Sequence, residues 1–137
     1  MAAFGDCLVL HIQEIEKDIG DIDTSLFVLY DTQTRLYVIR GKRMDARTRS
    51  FHPYSFVCDS FDDLCTFVGF IICSENYVTY SLYNYKDLPL DANDVTYEYL
   101  ANNVCRSSEI AGYDNVPVNK KHMKNILSML AGVFNNY

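Results

Sequence analysis

At 137 residues, with 49% hydrophobic and 22% charged side chains, the chain has the size and balance of one globular domain, which excludes a disordered protein. A chain of this length buries roughly two-thirds of the surface that its unfolded form exposes, so it needs neither a disulfide nor a metal to hold a core. Its net charge of −6 opposes the close approach of a nucleic acid.

The cysteines are Cys7, Cys58, Cys65, Cys73 and Cys105. An odd count without a Cys-x-x-Cys pair argues against a disulfide framework or a thiol redox motif. Three of them sit in apolar runs, where a free thiol behaves as a small hydrophobe. A reducing compartment follows. The first six residues lack the basic head and apolar stretch of a signal peptide, and the longest apolar run, Phe67–Cys73, is too short to span a bilayer. The expectation is a soluble cytoplasmic protein with no membrane partner; a place in a virion is compatible with it.

In chain order, Cys7–Ile15 alternates Leu8, Leu10 and Ile12 with Val9, His11 and Gln13, the period of a half-buried strand. A polar connection over 17–24 leads to Leu26–Tyr30 and Leu36–Ile39. Those two β-branched and aromatic runs flank Asp31–Thr34, a hairpin signal with a four-residue loop. Gly41–Pro53 reads as a basic loop and Tyr54–Cys58 as a short strand. Ser60 then stands where a helix cap belongs, with Asp62 and Asp63 complementing the positive end of the helix dipole. Leu64, Phe67, Val68, Ile71 and Ile72 share one face of that helix, and Gly69 stands where close packing can want a glycine. Tyr77–Tyr83 is strongly strand-like, with Val78, Tyr80 and Leu82 on one side. Pro89 closes this unit. Asn93 or Asp94 is placed to cap a short helix carrying Tyr97, Leu100, Ala101 and Val104. Ser107–Pro117 reads as a loop around Gly112. Asn119 then caps a last helix with the stripe Met123, Ile126, Leu127, Leu130, Val133 and Phe134. Lys120, Lys121 and Lys124 lie at the unfavourable end of its dipole. Strict βαβ alternation is missing, so the fold class is α+β: one domain over 1–137, with a mainly antiparallel sheet of four to five strands and two or three amphipathic helices packed on one face.

Charge segregation is the sharpest local signal. Six of the 12 basic residues, but one of the 18 acids, fall between Arg35 and His52. Arg40, Lys42, Arg43, Arg47 and Arg49, with Tyr37 and Tyr54 beside them, form the candidate partner-binding set. Arginines there can take carboxylates or phosphates in bidentate fashion, and Tyr37, Phe51 and Tyr54 can stack on bases. The bland alternative, which carries more weight, is a solvated loop paired with the domain's own acids. The 11 tyrosines are explained largely by sheet propensity.

Catalytic and metal signals are weak. His11, His52 and His122 are isolated, and the Cys58, Cys65, Cys73 spacing matches no common zinc site. There is no Gly-x-Ser-x-Gly, Gly-x-Gly-x-x-Gly or P-loop. Asp62–Asp63 are neighbours on a helix and point apart, so capping explains them better than acid–base chemistry. No catalytic residue, metal or cofactor is assigned. Stretches such as Tyr83–Asn84–Tyr85 give the composition the style of small accessory or structural proteins of large DNA viruses, without a motif that names a family. The expected function is a non-catalytic protein-interaction or structural module in a larger assembly, a viral one included, working through a Tyr-rich sheet face and the basic loop. Its partner is expected to be another protein, a second copy included. The alternatives are nucleic-acid or phospholigand binding by the 35–52 loop, and an enzyme whose site is dispersed in the sequence.

Overall fold

The structure, a computed structural model, describes residues 7–16, 22–31, 34–45, 47–72, 76–85, 94–104 and 109–135, with the side chains of Ile22, Asn115 and 131–135 excepted. Cys73, Cys105, Pro89, Asn93 and the side chains of Val133 and Phe134 lie outside that description.

Six strands are described: β1 Cys7–Ile15, β2 Ile22–Asp31, β3 Leu36–Met44, β4 Phe51–Cys58, β5 Tyr77–Tyr85 and β6 Glu109–Pro117. Three helices join them: α1 Phe61–Ile71, α2 Tyr97–Asn103 and α3 Lys120–Asn135. The strands form one sheet in the order β4-β3-β2-β1-β5-β6, antiparallel at every seam. The fold is therefore α+β on an antiparallel sheet. The first four strands are a meander. α1 then carries the chain from the edge strand β4 back to β5 beside β1, which makes β1 and β2 central. None of the helices is long and apolar enough to cross a membrane, among the described residues.

Local chemistry accounts for the helix starts. Ser60 is extended and its hydroxyl accepts the Asp63 N–H at 3.3 Å, as the cap pattern predicts. Thr96 does the same for the Tyr99 N–H at 3.1 Å, so α2 begins after Thr96 rather than at Asn93 or Asp94. Asn119 accepts the His122 N–H at 3.1 Å.

The sheet buries both faces. On one, Leu10, Ile12, Val28, Ile39 and Tyr80 pack under Leu64, Val68 and Ile71 of α1 and Met123, Leu127 and Leu130 of α3. On the other, Val9, Phe27, Leu29 and Val38 meet Leu100 of α2 with Val95 and Val104 flanking it. Each such side chain contributes roughly 1.5–3 kcal/mol when fully buried.

Four expectations need correction. Helices cover both faces, because Val95, Leu100 and Val104 turn a short segment into a lid over the second face. β1 is consequently buried on both sides rather than half-buried. Among the described residues the sheet has six strands, because 109–117 pairs with β5 as a strand whose register slips at Val78/Tyr80 and Leu82/Tyr83, and its Gly and Asn/Asp content hides the period-two pattern. Gly69 has open space around it, since a Cβ there would meet nothing within 4 Å.

Both edges are guarded. Pro53 sits within β4 opposite Lys42 and has no N–H to offer an incoming strand. β6 is bulged, with two register shifts against β5, a feature that disfavours regular pairing at an edge.

Candidate functional site

The basic segment is not a loop. β3 runs to Met44 and β4 begins at Phe51, so only a tight turn, Asp45 to Ser50, separates them. Asp45 organises that turn: its N–H donates to the Ser50 carbonyl, and its own carbonyl accepts the Arg49 N–H, both at 2.8 Å. Its carboxylate accepts the Arg47 N–H at 2.8 Å and meets His52 Nε2 at 3.1 Å. The Arg47 N–H and the His52 ring hold the Asp45 carboxyl below the usual carboxylate range. Arg49 adopts a left-handed φ of 58°, the conformation that lets the turn close.

Strand alternation then distributes the candidate residues. Tyr37 is buried, 5% exposed, on the α1–α3 side, with its ring against Tyr30 and Phe61; burial pushes its hydroxyl pKa up. Arg40 is also buried, 8% exposed, on the α2 side, and donates from Nε to the Val95 carbonyl at 2.8 Å. Neither can meet a partner, and both leave the proposed set. Arg40 is instead a strut between β3 and the segment entering α2. Lys42 pairs with Glu98 at 3.2 Å and lies 4.9 Å over the Tyr97 ring. Lys42 thus has an acid partner within the domain. Tyr54, half-buried, follows Phe56 and Cys58 onto the α1–α3 side.

What remains at the end of the hairpin is Arg43, half-exposed, with Arg47 and Arg49, exposed. None of these three guanidinium groups ion-pairs within the described residues. On the α2 side of the hairpin, opposite to the side Arg43 takes, Phe51 is 45% exposed and Val57 38%. Phe51 also forms one wall of a cleft of about 240 Å³ lined by Gln13, Ser25, Lys42 and Tyr97.

A buried polar chain forms the floor of this cleft, and sequence reasoning missed it. Tyr97 donates to Ser25 Oγ at 2.9 Å, and Ser25 Oγ lies 2.8 Å from His11 Nε2. The His11 ring stacks on Phe27 with centroids 4.2 Å apart and planes 6° apart. Burial pushes the His11 pKa down to about 4, which keeps the ring neutral. With Tyr97 donating to the hydroxyl, Ser25 can give its own hydrogen to Nε2. The pairing His11↔Phe27 and its neighbour Ser25 follow from hairpin register, but Tyr97 arrives from 72 positions away and leaves no local trace.

The Tyr-rich sheet face does not form an outer patch. Tyr80 is 1% exposed, and Tyr83 and Tyr85 pack beneath α2, where the Tyr85 and Tyr99 hydroxyls meet at 2.9 Å. Tyr80 thus belongs to the first core, and Tyr83 and Tyr85 to the second. Among the described residues, no three His, Cys, Asp or Glu side chains converge as a metal site would require. No protein-family model matches this chain, and neither a curated protein nor a solved structure does.

Proposed function

We propose that this chain is a non-catalytic interaction module of a larger intracellular assembly, and that its β3–β4 turn holds an acidic segment of a protein partner. One observation carries the reading: Arg43, Arg47 and Arg49 have no carboxylate partner among the described residues, at or beside a turn fixed by four hydrogen bonds to Asp45. A pre-ordered turn spends little conformational entropy on binding, and guanidinium groups favour paired carboxylate contacts. The exposed Phe51 and the cleft behind it give an adjoining apolar seat for a side chain of the same segment. The free thiols of Cys7, Cys58 and Cys65 support an intracellular setting.

The test is cross-linking and pull-down with the wild type and with Arg43→Ala/Arg47→Ala/Arg49→Ala. The variant should lose the partner, while thermal unfolding stays close to wild type because all three side chains are at the surface. Unchanged capture removes the turn from the reading. An anisotropy titration with single- and double-stranded DNA and RNA at low salt separates the second possibility. Binding there that falls steeply with salt would transfer the turn to a nucleic-acid role.

A further inference from the structure

The α1–α3 side of the molecule carries features that the arginine turn does not use. Phe70 of α1 is 83% exposed, the most exposed large hydrophobic residue of the described chain. It stands between two depressions. One, about 570 Å³, runs between α1 and α3 and is lined by Thr66, Gly69, Met123, Lys120 and Lys124. The other, about 280 Å³, lies toward Phe56 and Asp63. Gly69 leaves a hole in the first, since a Cβ there would touch nothing within 4 Å. The surface therefore presents a knob and an empty socket side by side.

Charge on this side is of both signs. Asp62 and Asp63 are exposed in the first turn of α1; Lys120, Lys121 and Lys124 are exposed at the start of α3. None of them ion-pairs within the described residues. The acids are explained by the helix dipole, but the lysines stand at its wrong end and are a local cost to the monomer.

We propose that this face joins two copies of the chain in a two-fold dimer, with Phe70 of each copy seated in the Gly69 socket of the other. A two-fold interface must be self-complementary, because a residue that meets a second residue is met by it in return. Knob with socket and acidic turn with lysines meet that requirement on one surface. A partner carrying only acids or only bases would leave half of these charges unanswered. Asp62 and Asp63 of each copy face Lys120 and Lys124 of the other, which relieves the misplaced lysines.

Sedimentation velocity on the full chain across a concentration series tests the proposal. The wild type should show a dimer that weakens with added salt. Phe70→Asp, and independently Gly69→Leu, which fills the socket, should weaken it at least roughly thirtyfold, the scale of losing a buried aromatic anchor. Circular dichroism confirms that each variant is folded, as the exposure of Phe70 and the open space at Gly69 lead one to expect. Asp62→Lys/Asp63→Lys and Lys120→Asp/Lys124→Asp should each be monomeric alone and form a heterodimer when mixed. A wild type that stays monomeric at every concentration overturns the proposal. So does a dimer that folded Phe70→Asp and Gly69→Leu leave intact, or a charge-swapped pair that never associates. The arginine-turn variant should dimerise as the wild type does, so the two readings fail separately.

Discussion

Substituting His11 by Gln separates the titration of one buried ring from everything else that acid does to this protein. In the folded chain His11 is 8% exposed, stacked on Phe27, and its pKa is pushed from 6.5 to about 4 by burial. In the unfolded chain the ring takes up its proton near the ordinary value of about 6.5. The unfolded state therefore binds more protons than the folded state between those two values. Stability is complete above the unfolded value and is lost as pH falls toward the folded one. With one pKa unit equal to about 1.4 kcal/mol, the loss relative to pH 7 is about 2 kcal/mol at pH 5 and about 3 kcal/mol at pH 4. Urea unfolding of the wild type and of His11→Gln across this range provides the measurement. Gln loses the ring stack, so the variant should be less stable near neutrality, but it cannot titrate. The difference between the two curves should shrink by about 2 kcal/mol from pH 7 to pH 5. Parallel curves, or an NMR titration placing the His11 ring near its ordinary pKa, would refute the reasoning. Either result would mean that the Tyr97–Ser25–His11 chain is open to water.

Two further substitutions probe the core. Tyr80→Phe removes a hydroxyl that has no hydrogen-bond partner in the described structure and whose pKa burial raises to about 12. It should stabilise the protein by about 1 kcal/mol, and a lower unfolding midpoint would show that the hydroxyl has a partner after all. Gly41→Ala should cost about 2 kcal/mol or more: the added methyl would run into the Leu26 side chain and approach the Ser25 carbonyl, 2.8 Å away. Chemical denaturation measures it, and a neutral result would mean that β2 can shift away from β3.

Much of the fold was legible because its signals are local. Ser60 with Asp62, Asn119 with the Met123–Leu130 stripe, and the alternation of Val78, Tyr80 and Leu82 depend on near neighbours, and the structure reproduces them. The second core was not legible. The short helix α2 can be read from its apolar residues, but what it covers is decided by strands far away in sequence. The arrangement of the candidate residues was only partly legible for a related reason. Charge along a sequence does not reveal which side of a strand a residue occupies, so Arg40 and Lys42 looked like Arg47 and Arg49. One buried strut and one internal ion pair emerged from what had been a single cluster.

The return of α1 across the sheet also has a consequence for how the protein is made. The hairpins of the meander close over short loops, but β1 finds β5 only across more than 60 positions of chain. Loop closure of that span is slow compared with hairpin formation. A ribosome that has released only the first four strands thus leaves β1, whose Val9, Leu10 and Ile12 end in the deepest interior, as a bare and apolar border. Neither Pro53 nor the β6 bulges protect that border. The vulnerable moment in the life of this chain falls before Tyr77–Tyr85 arrives, and a chaperone or an early partner would have its effect there.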